Sequence, residues 1–291
     1  NYHKLPILDG LLSVKGNFTH GWIGEVKILD TITVSSSAPV FVSNNNHPKT
    51  FFHQKSFYAK IGKSNWKLNL YGGFNHQVYW GSEDAAYGSK FKLSDIETFF
   101  YVATGKTYEE NEIPASKIGN QIGSIDIGAE YSFDDVKVMF YRQSFYDVGA
   151  LSKLANVKDG LNGLSFENKN FNKKHTTFNW KKIVAEFFYS KDQAGYPWST
   201  PTKSGDEDYY NNYYYKEGWS YKGMGLGTPL ITKESDARVG QADNGKDYFI
   251  NNRVVAGHIG FSGASAGFEV LTKITVSRNF GPFGPRIYGK T

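Results

Sequence analysis

The chain has 291 residues, 40% of them hydrophobic and 16% aromatic, with 31 Gly and no Cys. That excludes a disulfide framework, a Cys-ligated metal and a cysteine nucleophile, and 22 Phe, 20 Tyr and 6 Trp are too many for a disordered chain or a coiled coil. The formal charge of +5 is spread rather than blocked, and Lys173-Lys174 and Lys181-Lys182 are too short for a basic footprint, so nucleic acid is not an expected partner.

No run of about 18 apolar residues occurs, which excludes a spanning α-helix. The chain opens at Asn1 without a charged-then-apolar leader; any secretory leader is expected to have been removed already.

In chain order, the first signal is side-chain alternation with a period of two, the mark of a strand with two unlike faces. Strands are expected over 6–16 and 22–34, joined by a short turn at 17–21. A longer connection at 35–48 leads to a strand over 50–62. The clearest case follows a short turn at Lys63-Ser64. One parity reads Trp66, Leu68, Leu70, Gly72, Phe74, His76, Val78, Trp80, and the other Lys67, Asn69, Tyr71, Gly73, Asn75, Gln77, Tyr79. At about 3.3 Å per residue this stretch is on the order of 46 Å long. Tilted by about 45° it rises roughly 33 Å, enough to cross a bilayer core with a Trp near each interface. His76 interrupts the apolar parity.

Residues 82–120 form a long connection. Within it, 93–104 (LSDIETFFYVAT) has helical apolar spacing behind Ser94-Asp95, so a short helix or an infolded segment is expected, with a wandering strand as the alternative. Next, 122–133 and 136–145 flank Asp134-Asp135. A two-residue turn there pairs Phe133 with Val136, Tyr131 with Val138, Ala129 with Phe140 and Ile127 with Arg142. The same register sets Ser132 opposite Lys137, Glu130 opposite Met139 and Asp126 opposite Gln143, a mainly polar face.

Further strands are expected over 160–168, 176–190, 247–263 and 265–277, giving about ten in all. Connections alternate between short ones, at 169–175 and Ala264 as well as those above, and long ones at 147–159 and 191–246. Such alternation is what an up-and-down transmembrane β-barrel produces, with short periplasmic turns and long external loops. The competing architecture is a soluble β-sandwich, whose apolar faces pack together; Lys67, Asn69, Asn75, Asp126 and Glu130 on the second face would then need water or a network.

Chemical motifs are weak. Gly263-Ala264-Ser265-Ala266-Gly267 matches a nucleophile elbow, but the residues after it read as a strand rather than the required helix. Gly223-Met224-Gly225-Leu226-Gly227 lacks the flanking strand and helix of a phosphate loop. Seven His are scattered without metal-ligand spacing. Carboxylates cluster at Glu109-Glu110-Glu112 and Asp206-Glu207-Asp208, in expected external loops; a solvated surface is the first reading and cation binding the second. No catalytic residue, metal or cofactor is expected.

The most unusual segment lies within the longest connection: Tyr196, Trp198, Tyr209, Tyr210, Tyr213, Tyr214, Lys216, Trp219, Tyr221 and Lys222 are the candidate polysaccharide-binding residues. A pyranose offers an apolar face for stacking and a rim of hydroxyls for amide and cationic neighbours, and Lys favours an acidic polymer. The alternative is that these rings pack the loop on itself or into a barrel mouth.

The stretches Gly72-Gly73-Phe74-Asn75-His76-Gln77-Val78-Tyr79-Trp80-Gly81, Asp159-Gly160-Leu161-Asn162-Gly163-Leu164, Tyr209-Tyr210-Asn211-Asn212, Gly218-Trp219-Ser220-Tyr221 and Gly225-Leu226-Gly227-Thr228-Pro229-Leu230 carry a resemblance that spans roughly 56–280. On them the chain resembles the capsule assembly protein Wzi family, in particular its Bacteroidetes-type members. The resemblance implies an outer-membrane β-barrel of about eighteen strands that retains or organises capsular polysaccharide at the cell surface without catalysis. About ten strands are visible here, and 287–291 do not read as a membrane strand ending in an aromatic, so an incomplete portion of a larger barrel is expected, with a barrel smaller than the family's as the alternative. No family binding residue is carried over by position.

The expectation is therefore one barrel domain over 1–291, in the bacterial outer membrane with its long loops outside. Its expected partners are surface polysaccharide, outer-membrane lipid including lipopolysaccharide, and other outer-membrane proteins. A porin-like diffusion channel and a structural subunit of a larger outer-membrane complex are the alternatives.

Overall fold

The computed structural model describes residues 2–5, 10–33, 40–42, 45–110, 113–147, 150–171, 177–195, 207–241 and 243–282. Strands hold 53% of the residues and helices 10%, so the fold is mainly antiparallel β. Ten strands make one sheet: β1 His3–Lys4, β2 Leu12–Glu25, β3 Lys49–Ile61, β4 Leu68–Trp80, β5 Asn120–Ser132, β6 Val136–Tyr146, β7 Gly160–Asn168, β8 Phe178–Tyr189, β9 Val254–Ser265 and β10 Phe268–Asn279. Each pairs antiparallel with its neighbour in chain order, and among the described residues β10 does not pair back to β1 or β2, so the sheet described is open.

The β5–β6 hairpin has the register that its two-residue turn dictates. Phe133 N donates to Val136 O at 2.9 Å, and Tyr131, Ala129 and Ile127 face Val138, Phe140 and Arg142. Four expected boundaries need correction. Residues 17–21 are not a turn but the middle of β2, where Asn17, Phe18, Thr19 and His20 pair with Ser56, Lys55, Gln54 and His53. The 13-residue β3 beside them supplies a continuous ladder, and the alternation of Phe18, His20 and Trp22 against Asn17 and Thr19 runs through unbroken. The expected strand over 22–34 accordingly ends at Glu25; Thr31–Thr33 pairs with Val40–Val42 in a separate ribbon.

The last hairpin pivots at Ala266-Gly267, not Ala264. Both residues have positive φ, 49° and 86°, as a tight type I′ turn requires. That places the Gly-x-Ser-x-Gly motif in a strand and hairpin, without a helix. Residues 247–253 are loop rather than strand, because Phe249 and Ile250 are buried within it.

All long connections (26–48, 81–119, 147–159 and 190–253) leave one end of the sheet, and the short ones leave the other. The core sits at the long-loop end. One cluster joins Val26, Ile28, Val78, Tyr79, Trp80, Val102, Tyr108, Tyr214, Tyr215 and Trp219. A second joins Phe188, Tyr209, Ile231, Phe249, Val254 and Ala256. Toward the short-turn end the sheet has an exposed apolar face instead. Phe57, Phe74, Ile125 and Ser144 lie across from one another on it, as do Leu70, Ala129, Phe140, Leu164, Ala185, Ile259 and Ile274. The opposite face carries Asn69, Tyr71, Asn75, Ser124, Asp126, Glu130, Lys137, Gln143, Glu186 and His258.

Within 81–119, helix α1 spans Glu83–Tyr87 and helix α2 spans Asp95–Thr104. Helix α2 confirms the helical reading of 93–104. Ser94 and Glu97 form a reciprocal capping box, and Gly105 closes the helix at φ 65°, so orphan groups at both ends are satisfied.

Candidate functional site

Residues 207–232 and 243–253 fold back as a cap over the long-loop end of the polar face. Asn and Asp side chains tie off the backbone and so make the turns local. Asn212 Oδ1 accepts from Tyr214 N at 3.1 Å and Tyr215 N at 3.2 Å. Asn211 donates to Phe249 O at 3.1 Å and accepts from Phe249 N at 2.9 Å. Gly218 is required where it stands. It has φ 54°, and a Cβ there would lie 2.1 Å from Tyr210 O.

The rings of the cap pack downward. Trp219, 1% exposed, stacks on Tyr79 of the sheet with ring centroids 4.2 Å apart at 20°. Tyr209 meets Phe145 edge-on at 6.4 Å. Tyr215 Oη donates to Tyr79 O at 3.2 Å and lies 2.8 Å from Ser82 Oγ. The cap is also tied to the first long connection, through Leu29 N to Tyr214 O and Lys216 N to Lys27 O, both at 2.9 Å.

Buried carboxyl groups hold the junction. Asp159 accepts from Asp192 N at 2.9 Å, Gln193 N at 2.7 Å and Tyr209 Oη at 2.7 Å. Burial pushes its pKa up to about 6 against the pull of those donors. Asp147 accepts from Tyr210 N at 3.1 Å, while its own N donates to Glu207 Oε2 at 2.9 Å; burial, then the neighbouring Glu207 carboxylate, raise Asp147 well above the carboxylate range. Glu83 accepts from Gly81 N at 2.8 Å, and burial raises it to about 7.

Between cap and sheet lies a cavity of about 510 Å³. Its floor is Asn75, Gln77, Ser124, Gln143, Glu186, His258 and Thr275, and its roof is Tyr209, Tyr210, Trp219 and 227–231. A second cavity of about 460 Å³ shares Gln143, Leu161 and Glu186 with the first and runs on past Tyr58, Tyr71, Asp126, Tyr141 and Lys182. Tyr58 Oη donates to Asp126 Oδ2 at 2.8 Å, Gln143 Nε2 lies 3.3 Å from the same oxygen, and Tyr141 Oη donates to Glu186. Amide, hydroxyl and carboxylate groups gathered on the floor of an enclosed cavity suit a hydroxyl-rich ligand, which makes several hydrogen bonds.

The candidate residues read from the sequence divide. Tyr209, Tyr210 and Trp219 line the main cavity. Tyr214 is buried elsewhere in the cap, and Tyr213, Lys216 and Lys222 are exposed, with Tyr221 half-buried. Tyr196 and Trp198 lie outside the described residues. The ten therefore do not gather on one surface, and packing is the main work of Tyr209, Tyr214 and Trp219. Sequence reasoning missed the floor. Its residues come from several strands, and the signal was the polar parity of each, which names the face without saying which part the cap covers. No family model, curated protein or solved structure matches the chain.

Proposed function

We propose that this chain is part of an outer-membrane β-barrel of the capsule assembly Wzi type, which binds or organises surface polysaccharide without catalysing a reaction. The observation that carries the reading is the exposed apolar face: Phe57, Leu70, Ile127, Phe140, Ile259 and Ile274 are all open, while the opposite face is polar and holds the capped cavity and its continuation. A soluble sandwich would bury the first face and leave the second in water. A transmembrane wall does the reverse, with lipid outside and water within.

Closure of the open sheet into a barrel, through further strands, belongs to this proposal. The long loops then stand outside the cell, and the cavity beneath the cap is the polysaccharide site. The polar floor continuing from the first cavity into the second favours a porin-like channel as the alternative.

One experiment separates the two. The full-length protein is reconstituted in lipid, and labelled capsular polysaccharide is titrated against it alongside single-channel recording. Saturable binding that weakens several-fold in Gln143→Ala and Asn75→Ala, with no steady current, supports the proposal. A large steady ion current without saturable binding would replace it by the channel.

A further inference from the structure

Helix α2 lies on the apolar face, opposite the cap. Its Phe99 ring sits 5.3 Å from His20, 5.8 Å from His53 and 6.2 Å from Trp80, edge-on to both His rings, and the pairings His20↔His53 and Phe51↔Trp80 put these residues on the parity of Phe57 and Phe74. Its last carbonyls are gripped by two cations: Lys55 Nζ, from the same face, donates to Ala103 O, and Lys117 Nζ donates to Gly105 O. Positive charge at a helix C-terminus complements its dipole.

The helix covers what an apolar wall should not contain. His20, His53, Lys55 and His76 form a polar patch there, with His20 and His53 ring centroids 6.0 Å apart and His53 and His76 6.4 Å apart. His53 is fully buried, and neither ring nitrogen has a hydrogen-bond partner among the described residues. On the other side of the helix, Ile96 and Phe100 are one turn apart and 71% and 59% exposed. Phe18 and Trp22 stand exposed on β2 beside it, with Trp22 4.0 Å from Phe51 and Phe18 5.0 Å from His53.

We infer that α2 is a membrane-lying helix: it seats in the long-loop leaflet with Ile96 and Phe100 against acyl chains and screens the His-Lys patch of the wall from the bilayer. This rests on the barrel reading above. Lipid is the occupant because the exposed side of α2, together with Phe18 and Trp22, continues the apolar face toward the loops, and a helix with one apolar side against protein and another outward is matched by hydrocarbon rather than water. The patch beneath also explains the break in alternation at His76, whose Nε2 lies 3.0 Å from Gln121 Oε1.

The chain itself has no Cys, and any Cys elsewhere in the full-length protein is replaced by Ser before single labels are placed. Nitroxide spin labels at Ile96→Cys and Phe100→Cys are compared with Ile127→Cys on the apolar face and Tyr213→Cys on the cap, in the full-length protein in phosphatidylcholine vesicles. The ratio of oxygen to nickel-chelate accessibility is expected to be several-fold higher at 96, 100 and 127 than at 213. If 127 reads lipid while 96 and 100 match 213, the helix inference fails and the barrel stands. If 96 and 100 are shielded from both reagents, protein covers them and the inference also fails. If 127 itself reads water, the barrel reading falls and takes this inference with it.

Discussion

Tyr209 Oη donates a 2.7 Å hydrogen bond to Asp159 Oδ2, joining the cap to the residue just before β7. Both side chains are buried, and Asn156 Nδ2 donates to the same Tyr oxygen at 3.0 Å. The cap is thus held to the sheet by a contact that depends on the protonation of a carboxyl group.

That dependence has a definite sign. In the folded chain Asp159 is raised to about 6 and Glu83 to about 7, both chiefly by burial, whereas exposed carboxyls titrate near 4. Between those values the folded form holds protons that the opened form has lost, so the contribution of these two groups to cap stability falls as pH rises from about 4 to about 7, and the raised Asp147 acts in the same direction. Hydrogen exchange of 207–221 is expected to slow on going from pH 7.5 to 4.5, after correction for intrinsic rates. Asp159→Asn and Glu83→Gln should each flatten that slope; an unchanged slope in the double variant would count against the assignment.

Removing one hydroxyl and removing a whole ring should differ in size but act on the same unit. Tyr209→Phe deletes the bond to Asp159 and is expected to cost about 1–3 kcal/mol. Trp219→Ala empties the stack on Tyr79 and is expected to cost about 3–5 kcal/mol. Both losses should appear as faster proteolysis within the cap, with the β-sheet circular dichroism retained, because the ten-stranded ladder does not pass through it.

Charge on the two faces of one strand should have opposite consequences. Ile127→Arg places a cation on the apolar face and is expected to cost about 2–4 kcal/mol at mid-bilayer, read as reduced folding yield into vesicles. Ser132→Glu, half-buried on the polar face of the same strand and opposite Lys137, should fold at near wild-type yield. Equal yields for both would be incompatible with lipid contact on the first face.

Helix α2 offers a local test of its cap. Ser94→Ala removes the side chain that accepts from Glu97 N and donates to Glu97 Oε2 at 2.7 Å, and should destabilise the helix by about 1 kcal/mol. Faster amide exchange confined to 95–104 is the expected readout.

The alternation of 66–80, the Asp134-Asp135 turn and the Ser94 capping signal are all local, and residues a few positions apart decide them. Strand identity, the β5–β6 register and α2 are therefore legible in the amino-acid order itself. The false turn at 17–21 marks the limit, since a Gly-flanked polar stretch becomes strand when a long partner offers every hydrogen bond. The same limit applies to the aromatic run: composition brings Tyr and Trp together, but whether their faces meet solvent or Tyr79 depends on residues more than a hundred positions away.

The two-sidedness of each strand is written in the sequence alone, because a period of two assigns every residue to a face without reference to anything distant. What covers each face emerges only when the chain folds: a cap and cavities on the polar one, and helix α2 over the His-Lys patch of the apolar one. Those placements depend on contacts between long connections, whose geometry no local repeat encodes.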